Sequence, residues 1–262
     1  MSKNYALNKV TKVNSIREML ELAVKEAGEK NAFEYRDENQ NNKIVKVTYK
    51  EFNNDTEELG TALASIGMAD KHIAMIGENS YKWLTVYLTV LKSTGVFVPI
   101  DRELPCKDII NVLKHSDSEV LFYSEKYEKW INEIKENVPN IKFFIGLNRK
   151  EHDGNILSYD IFKENGKNVL NQGSKIYTDL KDDENKLKLL VYTSGTTGQP
   201  KGVMLTEHNL ISVVYYGLQV ADIGEKCLSV LPYHHTYEAV AGILVELHHH
   251  SWIWINDSLK KL

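Results

Sequence analysis

Leu187-Lys188-Leu189-Leu190-Val191 runs directly into Tyr192-Thr193-Ser194-Gly195-Thr196-Thr197-Gly198-Gln199-Pro200-Lys201-Gly202, and Val203-Met204-Leu205 follows. The first five residues, apolar except for Lys188, read as a short buried strand. Glycines at 195, 198 and 202 let the backbone turn through positive φ and bring amide N–H groups close to a ligand. The hydroxyls of Thr193, Ser194, Thr196 and Thr197 suit phosphate oxygens or a phosphate-bound magnesium. Lys201 adds a compact positive charge, and Pro200 stiffens the exit. The set suits a triphosphate. A solvated Gly/Ser/Thr loop is the competing account. The position straight after a strand, and the coincidence of features with separate physical causes, favour phosphate. It is not a Walker A loop, since no Gly-Lys-Ser/Thr stands at the required spacing, and no Gly-x-Gly-x-x-Gly opens a helix here.

The bulk properties leave room for such a site. The chain has 262 residues, enough for one large domain or two small ones with a sizeable core. Net charge is −4, so a nucleic-acid partner has no overall electrostatic support. Cys106 and Cys227 are the two cysteines, far apart in sequence, which points to reduced thiols and a cytoplasmic location. The N-terminal residues lack the apolar core of a signal peptide, and no apolar run reaches membrane-spanning length. Contact with a membrane surface, to collect a lipid substrate, stays open.

Around the loop the pattern predicts an α/β fold. A helix over 15–28 carries Ile16, Met19, Leu20 and Ala23 on one face, with Ser15 as cap. Two short strands at 32–35 and 44–47 flank a polar turn, and Thr48 with Glu51 at capping-box spacing opens a helix to about 66. Strands at 72–76, 96–100, 120–123 and 141–145 then alternate with helices at 80–94, 108–115 and 127–137. Alternation of this kind argues for a mostly parallel sheet covered by helices on both faces, here spanning about 70–200. The stretch 150–185 is polar, holds Gly166 and Gly173, and reads as a surface excursion. Helices at 206–220 and 239–247 and strands at 226–230 and 252–255 complete the chain; with residues 1–69 they should begin a second sheet beside the first.

Tyr-Thr-Ser-Gly-Thr-Thr-Gly-Gln-Pro-Lys-Gly-Val, at 192–203, resembles the core signature of the adenylate-forming (AMP-binding) superfamily. That superfamily includes acyl-CoA synthetases, luciferases and peptide-synthetase adenylation domains. Gly95-Val96-Phe97-Val98-Pro99-Ile100-Asp101-Arg102-Glu103-Leu104-Pro105 resembles a second motif, in which Asp101 is expected to cap or pin the strand exit. The resemblance implies that Thr193, Ser194, Gly195, Thr196, Thr197, Gly198 and Lys201 wrap the β- and γ-phosphates of ATP, with Thr193 helping to hold Mg2+. Pro232-Tyr233-His234-His235-Thr236-Tyr237-Glu238 resembles the family segment at the carboxylate and acyl pocket. His235, three residues after Pro232, takes the family histidine's position and is the candidate catalytic residue, lining the pocket near the carboxylate rather than acting as a base. The His-His-Thr-Tyr-Glu form is similar to fatty-acyl-CoA synthetases more than to amino-acid activators. Consecutive side chains such as His248-His249-His250 do not converge on one metal ion from a helix, and His250-Ser251-Trp252 stands where the family usually places a glycine and small residues.

The resemblance is best from 48 to 238, and Tyr-Gly-x-Thr-Glu, Thr-Gly-Asp and a C-terminal domain with its lysine are missing from these residues. The implied identity is therefore the N-terminal portion of the large domain of an acyl-CoA synthetase-like fold, with 70–200 as one α/β subdomain and 1–69 with 201–262 as part of another. Its parent reaction would activate a carboxylic acid, by implication a long-chain fatty acid, as acyl-adenylate and pass it to coenzyme A. The chain alone is expected to be inactive as a ligase, and missing partner strands would expose apolar surface that favours self-association. The rival readings are an amino-acid or aryl-acid adenylation domain and a non-catalytic nucleotide-binding module.

Overall fold

A computed structural model describes residues 6, 8–37, 41–181, 183–193 and 201–256. Chain order starts with α1 (Ile16–Ala27), β1 (Asn31–Asp37), β2 (Lys43–Thr48) and α2 (Tyr49–Ser65). Then come β3 (His72–Ile76), α3 (Tyr81–Leu91), β4 (Val96–Pro99), α4 (Cys106–His115) and β5 (Val120–Tyr123). A 3-10 turn (Glu125–Trp130) precedes α5 (Ile131–Asn137), β6 (Phe143–Gly146), β7 (Ile156–Ser158) and α6 (Tyr159–Asn171). The last part holds β8 (Leu187–Thr193), β9 (Lys201–Thr206), α7 (Glu207–Val220), β10 (Lys226–Ser229), a π-helix (Tyr237–Val245), α8 (Glu246–His249) and β11 (Trp252–Ile255).

Among the described residues the strands form two sheets. The larger runs β7-β6-β5-β3-β4-β8-β9, parallel throughout except for β9, which pairs antiparallel with β8. The smaller runs β10-β11-β1-β2 and draws its strands from both ends of the chain. The fold is thus α/β with mostly parallel sheets flanked by helices. The central strands of the larger sheet are buried on both faces, as a doubly covered parallel sheet requires. Ile73 and Met75 of β3 join a core cluster with Phe33, Phe52, Trp83 and Leu189. Ala74 and Ile76, the alternating positions, join the opposite cluster with Ile109, Leu113 and Ile131.

The predicted caps are present. Ser15 accepts a hydrogen bond from the Glu18 amide at 3.1 Å, and Thr48 and Glu51 make a reciprocal capping box. Other expectations need correction. The stretch 150–185 is no excursion, because it contains β7 and α6. Gly166 misled the pattern: a Cβ there would come within 2.0 Å of the Glu58 carbonyl oxygen, so this glycine lets α6 lie against α2. The helix expected over 127–137 is split into a 3-10 turn and α5. Residues 201–206 are a sheet strand, so the larger sheet runs on to Thr206 instead of ending near 200. The helix expected over 239–247 is a π-helix continued by α8.

A buried polar knot ties the two ends of the chain to the larger sheet. Lys188 of β8 is 1% exposed and Glu207, the first residue of α7, is 0% exposed; their charged groups stand 3.4 Å apart. The Lys188 ammonium also donates to the Leu91 and Ser93 carbonyls, at 3.0 and 2.5 Å. The second Glu207 oxygen accepts the Ile16 amide at 2.8 Å, which pins the start of α1. No helix among the described residues is long and apolar enough to cross a membrane.

Candidate functional site

Parallel strands put their carboxyl ends at one edge. The exits of β3, β4, β5 and β8 therefore share one edge of the larger sheet, and β3 has β4 on one side and β5 on the other. Such a switch of direction opens a crevice outside the strand ends, where open α/β sheets take ligands. Thr193 lies at the exit of β8, directly across from Lys201 at the entry of β9, and both are exposed. Tyr192 anchors this exit: its hydroxyl stands 2.7 Å from His115 Nδ1 in the last turn of α4. Burial, with Asp117 next, pushes the Tyr192 phenol up to about 12, so it stays protonated and able to donate. Ser194, Gly195, Thr196, Thr197 and Gly198 lie outside the described residues.

The segment after β10 is fastened to the same edge. Asn79, just past β3, donates to the Leu231 carbonyl at 2.8 Å and accepts the Tyr233 amide at 3.1 Å. Asp101, past β4, accepts the Glu103 amide at 2.9 Å, which is the pinning role expected of it, and lies 3.2 Å from His234 Nε2. Glu238 holds the segment from the other side. Its carboxyl meets the Ser229 hydroxyl and the amides of Val230 and Leu231, and burial pushes its pKa upward against those hydrogen bonds. Room for this carboxyl comes from Gly242, where a Cβ would fall 2.7 Å from it, and from the wide turn of the π-helix.

His235 rides on this frame with its side chain exposed; its amide donates to Pro232 at 3.0 Å and its carbonyl accepts the Ala239 amide at 3.1 Å. The neighbour His234 is the buried one, at 9% side-chain exposure, and the two rings stand 4.2 Å apart. Thr193, Lys201 and His235 thus belong to elements that meet at one edge. Sequence reasoning missed Asn79 and the pairing of His234 with Asp101, because both join residues far apart along the chain. An asparagine straight after a buried strand was the one available signal for the first.

Other groups are set apart from this edge. Burial, with Glu133 next, pushes the Cys106 thiol up to about 11, and burial, with Glu246 next, pushes Cys227 to about 12; neither is a thiolate nucleophile. A surface depression of about 420 Å3 is lined by Asn14, Arg17, Glu18, Glu21 and Glu184, an acidic rim unsuited to a polyanion. Among the described residues no group of three His, Cys, Asp or Glu side chains could hold a metal ion. The histidine run diverges accordingly: His248 Nε2 meets the Thr11 carbonyl at 2.8 Å, His249 meets the Ser251 hydroxyl at 3.1 Å, and His250 faces Glu26 at 3.9 Å. His250 adopts φ 62, ψ 35, the left-handed conformation that glycine enters without a Cβ penalty. That explains the glycine expected here. His250→Gly should raise stability by about 1 kcal/mol in thermal unfolding, since relief of the left-handed backbone outweighs the weak attraction of a distant Glu26 carboxylate. A fall in stability of that size would show that packing of the ring against Tyr49 at 6.0 Å outweighs the backbone.

Residues 20–256 match the family described as AMP-binding enzyme. The chain belongs to that family. Relatives of this AMP-binding chain include a chloroplastic long-chain-fatty-acid–[acyl-carrier-protein] ligase of Arabidopsis thaliana, AEE15, 26% identical over 83% of this chain and 33% of the relative. Long chain acyl-CoA synthetase 4 of the same plant is 25% identical over 77% of this chain and 31% of its own length. Among solved structures, the anthranilate CoA ligase AuaEII in complex with anthranoyl-AMP superposes with a TM-score of 0.80 at 17% identity, covering 99% of this chain and 48% of that one. The chain therefore spans about a third of the length of these curated relatives.

Proposed function

We propose that this chain is the N-terminal part of an ATP-dependent acid–thiol ligase that activates a long-chain fatty acid as acyl-adenylate and transfers it to coenzyme A. One observation carries the reading: the β8–β9 hairpin with Thr193 and Lys201, and the segment bearing His235, converge on the carboxyl edge of one parallel sheet. The donor set fits a triphosphate, since a hydroxyl-bearing and an ammonium-bearing residue, both exposed, are paired across the mouth of the hairpin. Thr193 and Lys201, with Ser194, Gly195, Thr196, Thr197 and Gly198 assigned from the sequence alone, would grip the β- and γ-phosphates. In the first half-reaction a carboxylate oxygen bonds to the α-phosphorus and the bond to pyrophosphate breaks. Negative charge then gathers on pyrophosphate, and Lys201 is placed to offset it. Magnesium, held in part by the Thr193 hydroxyl, would supply further charge neutralisation there. His235 would line the carboxylate end.

The acceptor thiol follows from the acyl-CoA synthetase relative, whereas the AEE15 relative is named for acyl-carrier protein. Self-association belongs to the same proposal. The edge strand β9 exposes Val203 and Met204, and α7 exposes Tyr216 and Val220. A cytoplasmic location and transient contact with membranes to collect the acid complete it. ATP–pyrophosphate exchange, run on a protein continued through the rest of the family's length with fatty, aryl and amino acids, tests the reading. Exchange driven by long-chain acids is expected. Exchange driven by amino or aryl acids would establish the rival adenylation domain, and none with any acid would leave a nucleotide-binding module. The present chain alone is expected to form no acyl-CoA.

A further inference from the structure

Asp101, His234 and His235 stand in a row where the exit of β4 meets the segment after β10. Asp101 is the fixed end, because its Oδ1 accepts the Glu103 amide at 2.9 Å while standing 3.2 Å from His234 Nε2. His234 is the middle member, with 9% of its side chain exposed. His235 is the free end: backbone bonds set its Cα, but its exposed ring rests on the ring of His234, at 4.2 Å and a 47° tilt.

We propose that Asp101 and His234 act as a positioning pair that sets the orientation of the His235 imidazole. The inference rests on the functional reading above, in which His235 lines the carboxylate end of the site. His234 Nε2 and Asp101 Oδ1 stand 3.2 Å apart, and which of them carries a proton follows from the burial of His234. Burial drives that imidazole down to about 4, with His235 and Arg102 acting the same way and Asp101 and Glu103 opposing. These are the titratable and charged groups facing it. Near neutral pH the ring is therefore uncharged, and to reach the carboxylate its Nε2 carries the proton and donates it to Asp101. Nδ1 is then the bare nitrogen. His235 thus leans on a neutral ring of fixed tautomer. The Asp101 carboxylate meets His234 and not His235.

Asp101→Asn keeps an oxygen for the Glu103 amide and removes the charge that orients His234. His234→Gln keeps a donor for Asp101 and removes the ring beneath His235. Histidine-selective NMR titration of the chain reads the rings directly. A long-chain acyl-sulfamoyl adenosine, which mimics an acyl-adenylate, and a non-hydrolysable ATP analogue read the site by calorimetry. In the unsubstituted chain His234 is expected as the neutral Nε2–H tautomer. Both variants should move the His235 ring resonance. They should weaken the acyl-adenylate mimic about tenfold, while binding of the ATP analogue stays within about twofold. An unmoved His235 resonance overturns the proposal, as does equal weakening of both ligands or unchanged affinity for the acyl mimic. Should Asp101→Asn fail to fold, His234→Gln decides alone. Should neither ligand bind the unsubstituted chain, the tautomer and the His235 resonance decide the pair by themselves, and the ATP–pyrophosphate exchange above decides the functional reading.

Discussion

Glu207→Ala is expected to cost about 3–5 kcal/mol of folding stability, the range for removing one partner of a buried ion pair. Glu207 and Lys188 have essentially no contact with water, so the lysine would keep its charge among apolar neighbours with the Leu91 and Ser93 carbonyls left to meet it. The Ile16 amide would lose its acceptor in the same step, loosening α1 from α7. Against a total stability of about 5–15 kcal/mol for a folded domain, that removes a large share of the margin. Glu207→Gln keeps an acceptor for Ile16 and should lose less. Lys50 and Glu29 make the contrast: their charges are 3.3 Å apart, a similar distance, but the side chains are 61% and 84% exposed. Removing that surface pair should change stability by under about 1 kcal/mol. Urea unfolding followed by circular dichroism measures both. A loss below about 1 kcal/mol for Glu207→Ala would mean that water reaches the pair on relaxation.

Lys201→Met should lower affinity for ATP by about tenfold to a hundredfold, the worth of about 1.5–3 kcal/mol for hydrogen bonds to a charged group. The side chain is exposed at the entry of β9, so thermal stability should hardly move. The effect should shrink with added salt, as an accessible charge is screened. Thr193→Ala, across the hairpin, should weaken ATP further when magnesium is present than when it is chelated. Calorimetric titration with a non-hydrolysable ATP analogue checks both. Equal affinity for ATP in Lys201→Met and the unsubstituted chain would remove the hairpin mouth from the phosphate site.

The candidate site was legible in part. A loop dense in glycine, hydroxyls and one lysine suggests phosphate chemistry from its sequence, because each of those residue types acts through its own backbone or side chain. The pocket segment was legible only through its resemblance to the family, which singles out His235 and says nothing of His234. The structure gives the two rings different settings: His235 is exposed, and His234 is buried against Asp101. Nothing in the order His-His says which ring faces inward.

Period-2 and period-3.6 patterns depend on neighbours along the chain, so the sequence by itself determined the alternation of strands and helices, the caps at Ser15 and Thr48, and the two-faced burial of β3. It misread Gly166 and the strand at 201–206, because a packing glycine and an exposed edge strand look like loop in a local window. Tertiary structure alone decided which distant residues share an edge: Asn79 with Leu231, Asp101 with His234, Lys188 with Glu207. Those pairings cross sheets and helices, and their net free energy is what each contact returns against the cost of burying polar groups and closing long loops, quantities that no stretch of sequence carries within itself.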